Sequence, residues 1–154
     1  MHVTPTRQFP PLAQSLGSAE RSMRALLDQH LRAANVSFPE WTALVFTSTA
    51  AITLQQVARR QVDGHVVASA VETQRVINRM VASGLLSFDG ADVLLHTVSG
   101  AALFQGLSAK VKDTAQSIFS SLPPSDLEAT HRTLLEISRR ATALLAQGGL
   151  SGNR

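Results

Sequence analysis

Arg75 and Arg79 stand four residues apart, in a run that also carries Ser69, Thr73, Gln74 and Asn78. At helical spacing the two Arg share a face, with Thr73, Gln74 and Asn78 near it. Arg, Asn, Gln and Thr are the side chains that read base edges in the major groove or clamp phosphates. The same set also describes the solvated face of any amphipathic helix, and the residues alone leave both readings open. The next residues along the chain favour the first: Gly84-Leu85-Leu86 stops the helix and turns it straight into an apolar strand. Arg59 and Arg60 close a preceding short helix, where a cation either complements the helix dipole or reaches a phosphate.

Other chemistry finds little support. His2, His30, His65, His96 and His131 are scattered, and only Asp63 and His65 have even a weak ligand-like spacing. Satisfied or exposed histidines account for them, and no metal site is expected. There is no Cys, which excludes disulfides, thiolate metal sites and a cysteine redox sensor. A phosphate-cradling Gly loop with Lys, a nucleophile elbow and a His-Glu-x-x-His pair are all missing. The chain is therefore not read as an enzyme, and no cofactor is expected.

The elements that must position the polar run are helical. Leu16, Met23, Leu26, Leu27 and Leu31 recur at three- and four-residue steps and predict a helix over Leu12–Ala34. Ser37-Phe38-Pro39-Glu40 has capping-box spacing and opens a second helix, with Trp41, Leu44 and Val45 inward. Thr53-Leu54-Gln55-Gln56 opens a third, to about Gln61, and Ser69-Ala70-Val71-Glu72 a fourth, with Ile77, Met80 and Val81 inward. Asp63-Gly64 marks a turn between these two. Leu85–Phe88 and Val93–Thr97 flank Asp89-Gly90-Ala91-Asp92 and predict a β-hairpin. A long helix over Val98–Leu122 ends at Pro123-Pro124. Ser125-Asp126-Leu127-Glu128 then has the spacing of a cap for a last helix, to about Gln147, with Leu127, Leu134, Ala141 and Leu145 on one face. The predicted fold class is mainly α with a small β-hairpin.

Composition sets bounds on partners. The 154 residues are 44% hydrophobic and 16% charged, the balance of a folding globular chain. Aromatics are 5% and Tyr is missing, so the core must be Leu, Val, Ala and Ile. Net charge is +3 with a pI near 10.6. That pI overstates the excess, because all but Lys110 and Lys112 of the 14 cationic residues are Arg. Between Trp41 and His96, Arg59, Arg60, Arg75 and Arg79 face Asp63, Glu72, Asp89 and Asp92. Such a neutral stretch argues against a non-specific nucleic-acid coat, which needs many phosphate contacts. There is neither a run of 18 apolar residues nor a signal-peptide stretch in Met1–Pro11. No membrane partner is expected, and the expected location is cytoplasmic.

In order and spacing these parts resemble the multiple-antibiotic-resistance regulator (MarR) family of winged-helix transcription regulators. Arg75-Val76-Ile77-Asn78-Arg79-Met80 is similar to that family's Arg-Leu-Val-Asp-Arg-Leu, and Gly84-Leu85-Leu86 to its Gly-Leu-Val. Thr97-Val98-Ser99-Gly100-Ala101-Ala102-Leu103 is similar to its Thr-x-x-Gly-x-x-Leu. The likeness covers nearly the whole chain, 1–154. It implies a winged helix-turn-helix over 37–97, flanked by dimerisation helices over 12–34 and 98–147. It implies a homodimer on double-stranded DNA, binding a pseudo-palindromic site through the recognition helix 69–83 and most often repressing. By resemblance Ser69, Thr73, Gln74 and Arg75 are best placed for the groove, and Arg79 braces the motif or holds a phosphate. A small aromatic or apolar effector is implied in a crevice lined by His30, Phe38, Trp41, Leu44 and Phe46. Two features depart from the family. The chain between the motif's helices is about five residues longer, and the hairpin tip is short and acidic where the family carries an Asp-Arg pair. Carboxylates there repel phosphate, which leaves a second reading open: a dimeric winged-helix module that binds a ligand or protein and no longer binds DNA.

Overall fold

The computed structural model describes residues 10–90 and 92–149. The chain divides into two compact units, Met1–Lys112 and Asp113–Arg154.

The first unit opens with α1 (Leu12–Ala33) and α2 (Phe38–Thr49). Asn35 turns the chain between them at φ 54. Both halves of the capping box form at α2: Glu40 donates its N–H to Ser37 Oγ at 3.4 Å, and Ser37 donates its N–H to Glu40 Oε2 at 2.7 Å. Strand β1 (Ile52–Thr53) leads directly into α3 (Leu54–Asp63), whose cap repeats the reciprocal pattern between Thr53 and Gln56. At α4 (Ala70–Ala82) only half of the box forms. Ser69 Oγ accepts from the Glu72 N–H, but the Glu72 carboxylate reaches back to the Ala68 N–H at 3.0 Å.

Helix α4 ends in a Schellman closure. Gly84 takes φ 73, and Leu85 donates to the Met80 carbonyl at 2.9 Å. Strands β2 (Leu86–Phe88) and β3 (Val93–His96) come next as the expected hairpin. The sheet nevertheless has three strands, in the order β1-β3-β2, all antiparallel, with Ile52 opposite Leu94 and Leu86 opposite His96. Strand β1 is two residues long, too short to show alternation in sequence, and Ile52 fixes it by burial.

Helix α5 (Val98–Phe119) begins at a tight junction. Thr97 donates its hydroxyl to the Gly84 carbonyl at 2.6 Å and accepts from the Gly100 N–H at 3.0 Å. A Cβ on Gly100 would lie 1.9 Å from the Leu85 carbonyl oxygen. The Thr-x-x-Gly spacing therefore lets the first turn of α5 sit on the backbone that leaves α4.

Two apolar clusters make up the core of this unit. One joins α2, α3, α4 and the sheet through Leu44, Ile52, Val57, Ile77, Met80 and Leu94. The other joins Leu31 of α1, Val36, Trp41 of α2 and Leu107 of α5.

The second unit takes in the end of α5 and all of α6 (Pro124–Gly149). Here the cap predicted at Ser125 is corrected. The helix starts at Pro124, with the Pro123 carbonyl accepting from Asp126 and Leu127 N–H, so Ser125 already lies in the first turn. Proline's fixed φ suits the first helical position, and this places the start two residues earlier than a cap at Ser125 would. Along α6, Arg139 and Arg140 both donate to Glu136, at 2.7 and 2.6 Å. The larger cause, Arg139, and then Arg140 hold that carboxyl below the ordinary carboxylate value.

Candidate nucleic-acid interface

Helix α4 separates its residues cleanly. Thr73, Val76, Ile77 and Met80 are buried. Gln74, Arg75, Asn78 and Arg79 are exposed, as is Ser69 at the cap. Gln74 and Asn78 are tied together, Gln74 Nε2 donating to Asn78 Oδ1 at 2.9 Å. Arg75 has no ion-pair partner among the described residues.

Thr73 is corrected. Read from the sequence as a groove residue, it is fully buried, and its hydroxyl donates to Gln61 Oε1 at 2.8 Å. Gln61, itself fully buried on α3, donates from Nε2 to the Pro39 carbonyl at 2.7 Å and to Thr42 Oγ1 at 2.8 Å. One carboxamide thus bonds α2, α3 and α4 together. The sequence reading missed it because an isolated Gln at a helix end looks like a solvated residue. The one available signal was its spacing from Val57 and Ala58, which puts it on their buried side.

The other cations are engaged within the fold. Arg79 turns from the outward stripe toward α2, its Nε 4.0 Å from Glu40 Oε1. Both residues line a cavity of about 480 Å³ together with Arg32, Asn35, Val36 and Ser37. The Arg79 side chain nevertheless stays mostly exposed. Arg59 lies 3.6 Å from Asp63, with both side chains largely exposed, a pair that contributes little to stability. The pair exists because α3 runs on to Asp63, past the expected end at Gln61. Arg60 lies over the Phe46 ring, 5.5 Å from its centre.

The hairpin tip is occupied by its own bonds. Asp89 donates its N–H to the Val93 carbonyl and accepts the Val93 N–H on Oδ1 at 3.2 Å. Asp92 is exposed, at φ 65. Ala91 lies outside the described residues.

The five residues expected around an effector fall in different surroundings. Leu44 is corrected: it is fully buried in the cluster with Ile77 and Leu94, so it offers a ligand no surface. Trp41 is 8% exposed and stacks on Phe104 at 5.7 Å between centroids. Phe38 is half-buried under the Arg24 guanidinium, 3.3 Å from its ring centre. His30 and Phe46 are half-buried. His96, unassigned from the sequence, holds the base of the hairpin to α2. Its Nε2 contacts the Leu44 carbonyl at 3.0 Å and Thr47 Oγ1 at 2.7 Å, and its ring meets Phe104 edge-on at 5.5 Å.

No family model matches the sequence, and no curated protein matches it significantly. Solved structures do match. Ligand-free NadR aligns at 16% identity over 88% of this chain and 98% of NadR, with a TM-score of 0.71. The reduced form of MarR from Escherichia coli aligns at 19% identity over 84% and 95%, with a TM-score of 0.64. A MarR family protein of Mycobacterium tuberculosis in complex with DNA aligns at 18% identity over 84% and 98%, with a TM-score of 0.65. The same mycobacterial protein with p-aminosalicylic acid aligns at 16% identity over 84% and 99%, with a TM-score of 0.62. The chain has the fold of these MarR-family regulators: a winged helix-turn-helix set among long helices.

Proposed function

We propose that the chain is a dimeric, ligand-responsive transcriptional regulator, a repressor, that binds a pseudo-palindromic site in double-stranded DNA. The observation that carries the reading is the outward stripe of α4. Gln74, Arg75 and Asn78 are exposed there, while the opposite face is fixed to α2 and α3 through Thr73 and Gln61. A rigid helix presenting hydrogen-bonding side chains is what major-groove readout requires. One neighbour of the same fold was solved on DNA, which supports the reading.

Assembly as a homodimer is supported by uncovered apolar surface. Helix α1 exposes Leu12, Met23 and Leu26, and α6 exposes Leu134, Leu135, Leu144 and Leu145. A two-fold pair would cover such faces and repeat α4 at the spacing of a palindrome. The effector is a small aromatic or apolar molecule, in keeping with the p-aminosalicylic acid of one neighbour. His30, Phe38, Trp41 and Phe46 are the side chains left for it. None of the described helices is long and apolar enough to cross a membrane, and the regulator is assigned to the cytoplasm, where its DNA lies.

A second reading has its own observation. Asp89 and Asp92 make the hairpin tip acidic, and Arg59 and Arg79 face carboxylates. On that reading the fold is a dimeric interaction module without DNA binding. Selection of bound duplexes from a random pool by the full-length chain separates the two. The regulator enriches a pseudo-palindrome, and the interaction module enriches nothing.

A further inference from the structure

The outward stripe of α4 is not wholly polar. Val71 is 60% exposed, and helical spacing puts it in line with Arg75 and Asn78. A solvent-facing β-branched residue helps neither the helix nor the core. It loses χ1 freedom against the preceding turn, and its methyl groups stay in water. The buried face of α4 is complete without it. Beside it, the bond from Gln74 Nε2 to Asn78 Oδ1 uses a donor of one amide and the acceptor of the other. The Gln74 carbonyl oxygen stays open as an acceptor and the Asn78 amide as a donor. The linked pair thus offers the acceptor-and-donor pattern that a carboxamide presents to adenine N6 and N7. Adenine's partner in the same base pair turns a methyl group into the major groove, and an apolar side chain is what recognises it.

From this juxtaposition we infer that α4 reads an adenine–thymine step, with the Gln74–Asn78 pair on adenine and Val71 on the C5-methyl of a thymine. Val71 is a specificity-determining residue, and Arg75, one turn further along the stripe, reads a neighbouring guanine. The inference rests on the DNA-binding reading and deepens it by naming the bases.

The test uses the duplex most enriched by the full-length chain, and copies in which one thymine at a time is replaced by deoxyuridine. That change removes the methyl group and keeps the base pairing. At one thymine per half-site, affinity should fall about fourfold, the equivalent of one methyl group left in water. Val71→Ala changes both half-sites of the dimer at once, so it should lose about 16-fold on the thymine duplex, and it should bind the thymine and deoxyuridine forms alike, because the contact each replacement removes is already gone. Alanine at an exposed helical position leaves the fold intact. Deoxyuridine tolerated by the wild type at every thymine would overturn the inference. So would Val71→Ala keeping the full thymine preference. Both results leave sequence-specific binding standing. If no duplex is enriched at all, the DNA-binding reading fails and this inference falls with it.

Discussion

Gln61 bonds to α2 and α4 at once, so the angle at which α4 is presented depends on one buried side chain. Removing either partner of its bond to Thr73 strands a buried polar atom, at a cost of about 1–3 kcal/mol. Thr73→Val should destabilise by about that much in denaturant titration, and Gln61→Leu by more, because it also removes the bonds to the Pro39 carbonyl and Thr42 Oγ1. The double variant should cost clearly less than the sum, since it removes both partners together. Simple additivity would show that the bond contributes nothing. The misplacement of Thr73 has the same origin. Thr, Gln and Asn are interchangeable as groove readers, and the period of α4 puts Thr73 on the side of the buried Val76 and Ile77. What the polar run does not show is the partner that satisfies the buried hydroxyl, Gln61, 12 residues away. For Arg79 the resemblance offers a brace or a phosphate contact, and the structure sets it 4.0 Å from a carboxylate of α2. Its partner Glu40, 39 positions back by their numbers, has no local signature.

Among the elements, what is legible is what is local. The caps at Ser37 and Thr53 form as their spacing predicts, and the hairpin and the turn at Gly84 fall where the composition puts them. The exceptions are elements decided by tertiary contact or by competition at one residue. Strand β1 exists only as a partner of β3, and Pro124 outcompetes Ser125 for the start of α6. The start of α5 gives a sharp prediction. Gly100→Ala drives a Cβ into the Leu85 carbonyl and should lower stability by at least about 2 kcal/mol, in spite of alanine's better helix propensity. Gly106, on the same helix, has open space around its would-be Cβ. Gly106→Ala should raise stability by about 0.5–1 kcal/mol. Thermal melts of the two variants should therefore shift in opposite directions. A Gly100→Ala protein as stable as the wild type would show that the α4–α5 junction is looser than its geometry.

The stretch between Trp41 and His96 balances four Arg against four acids, and α1 and α6 expose apolar side chains. Light scattering at micromolar concentration should give about twice 16.5 kDa. A stable folded monomer would remove the two-fold arrangement on which a palindromic site depends. Neutrality also shapes how binding responds to salt. With four Arg balanced by four acids between Trp41 and His96, the salt dependence should be shallow and specificity should rest on base contacts. On the proposed reading, base recognition rests on the outward stripe of α4, and Arg75 is the place to break it. The decisive quantity is the ratio of affinities for the enriched duplex and a scrambled one, measured across salt for the wild type and Arg75→Ala. Arg75→Ala should lower this ratio by about 1–3 kcal/mol per half-site and leave scrambled-duplex binding nearly unchanged. A ratio that Arg75→Ala leaves intact, or a loss equal on both duplexes, would contradict readout by the stripe.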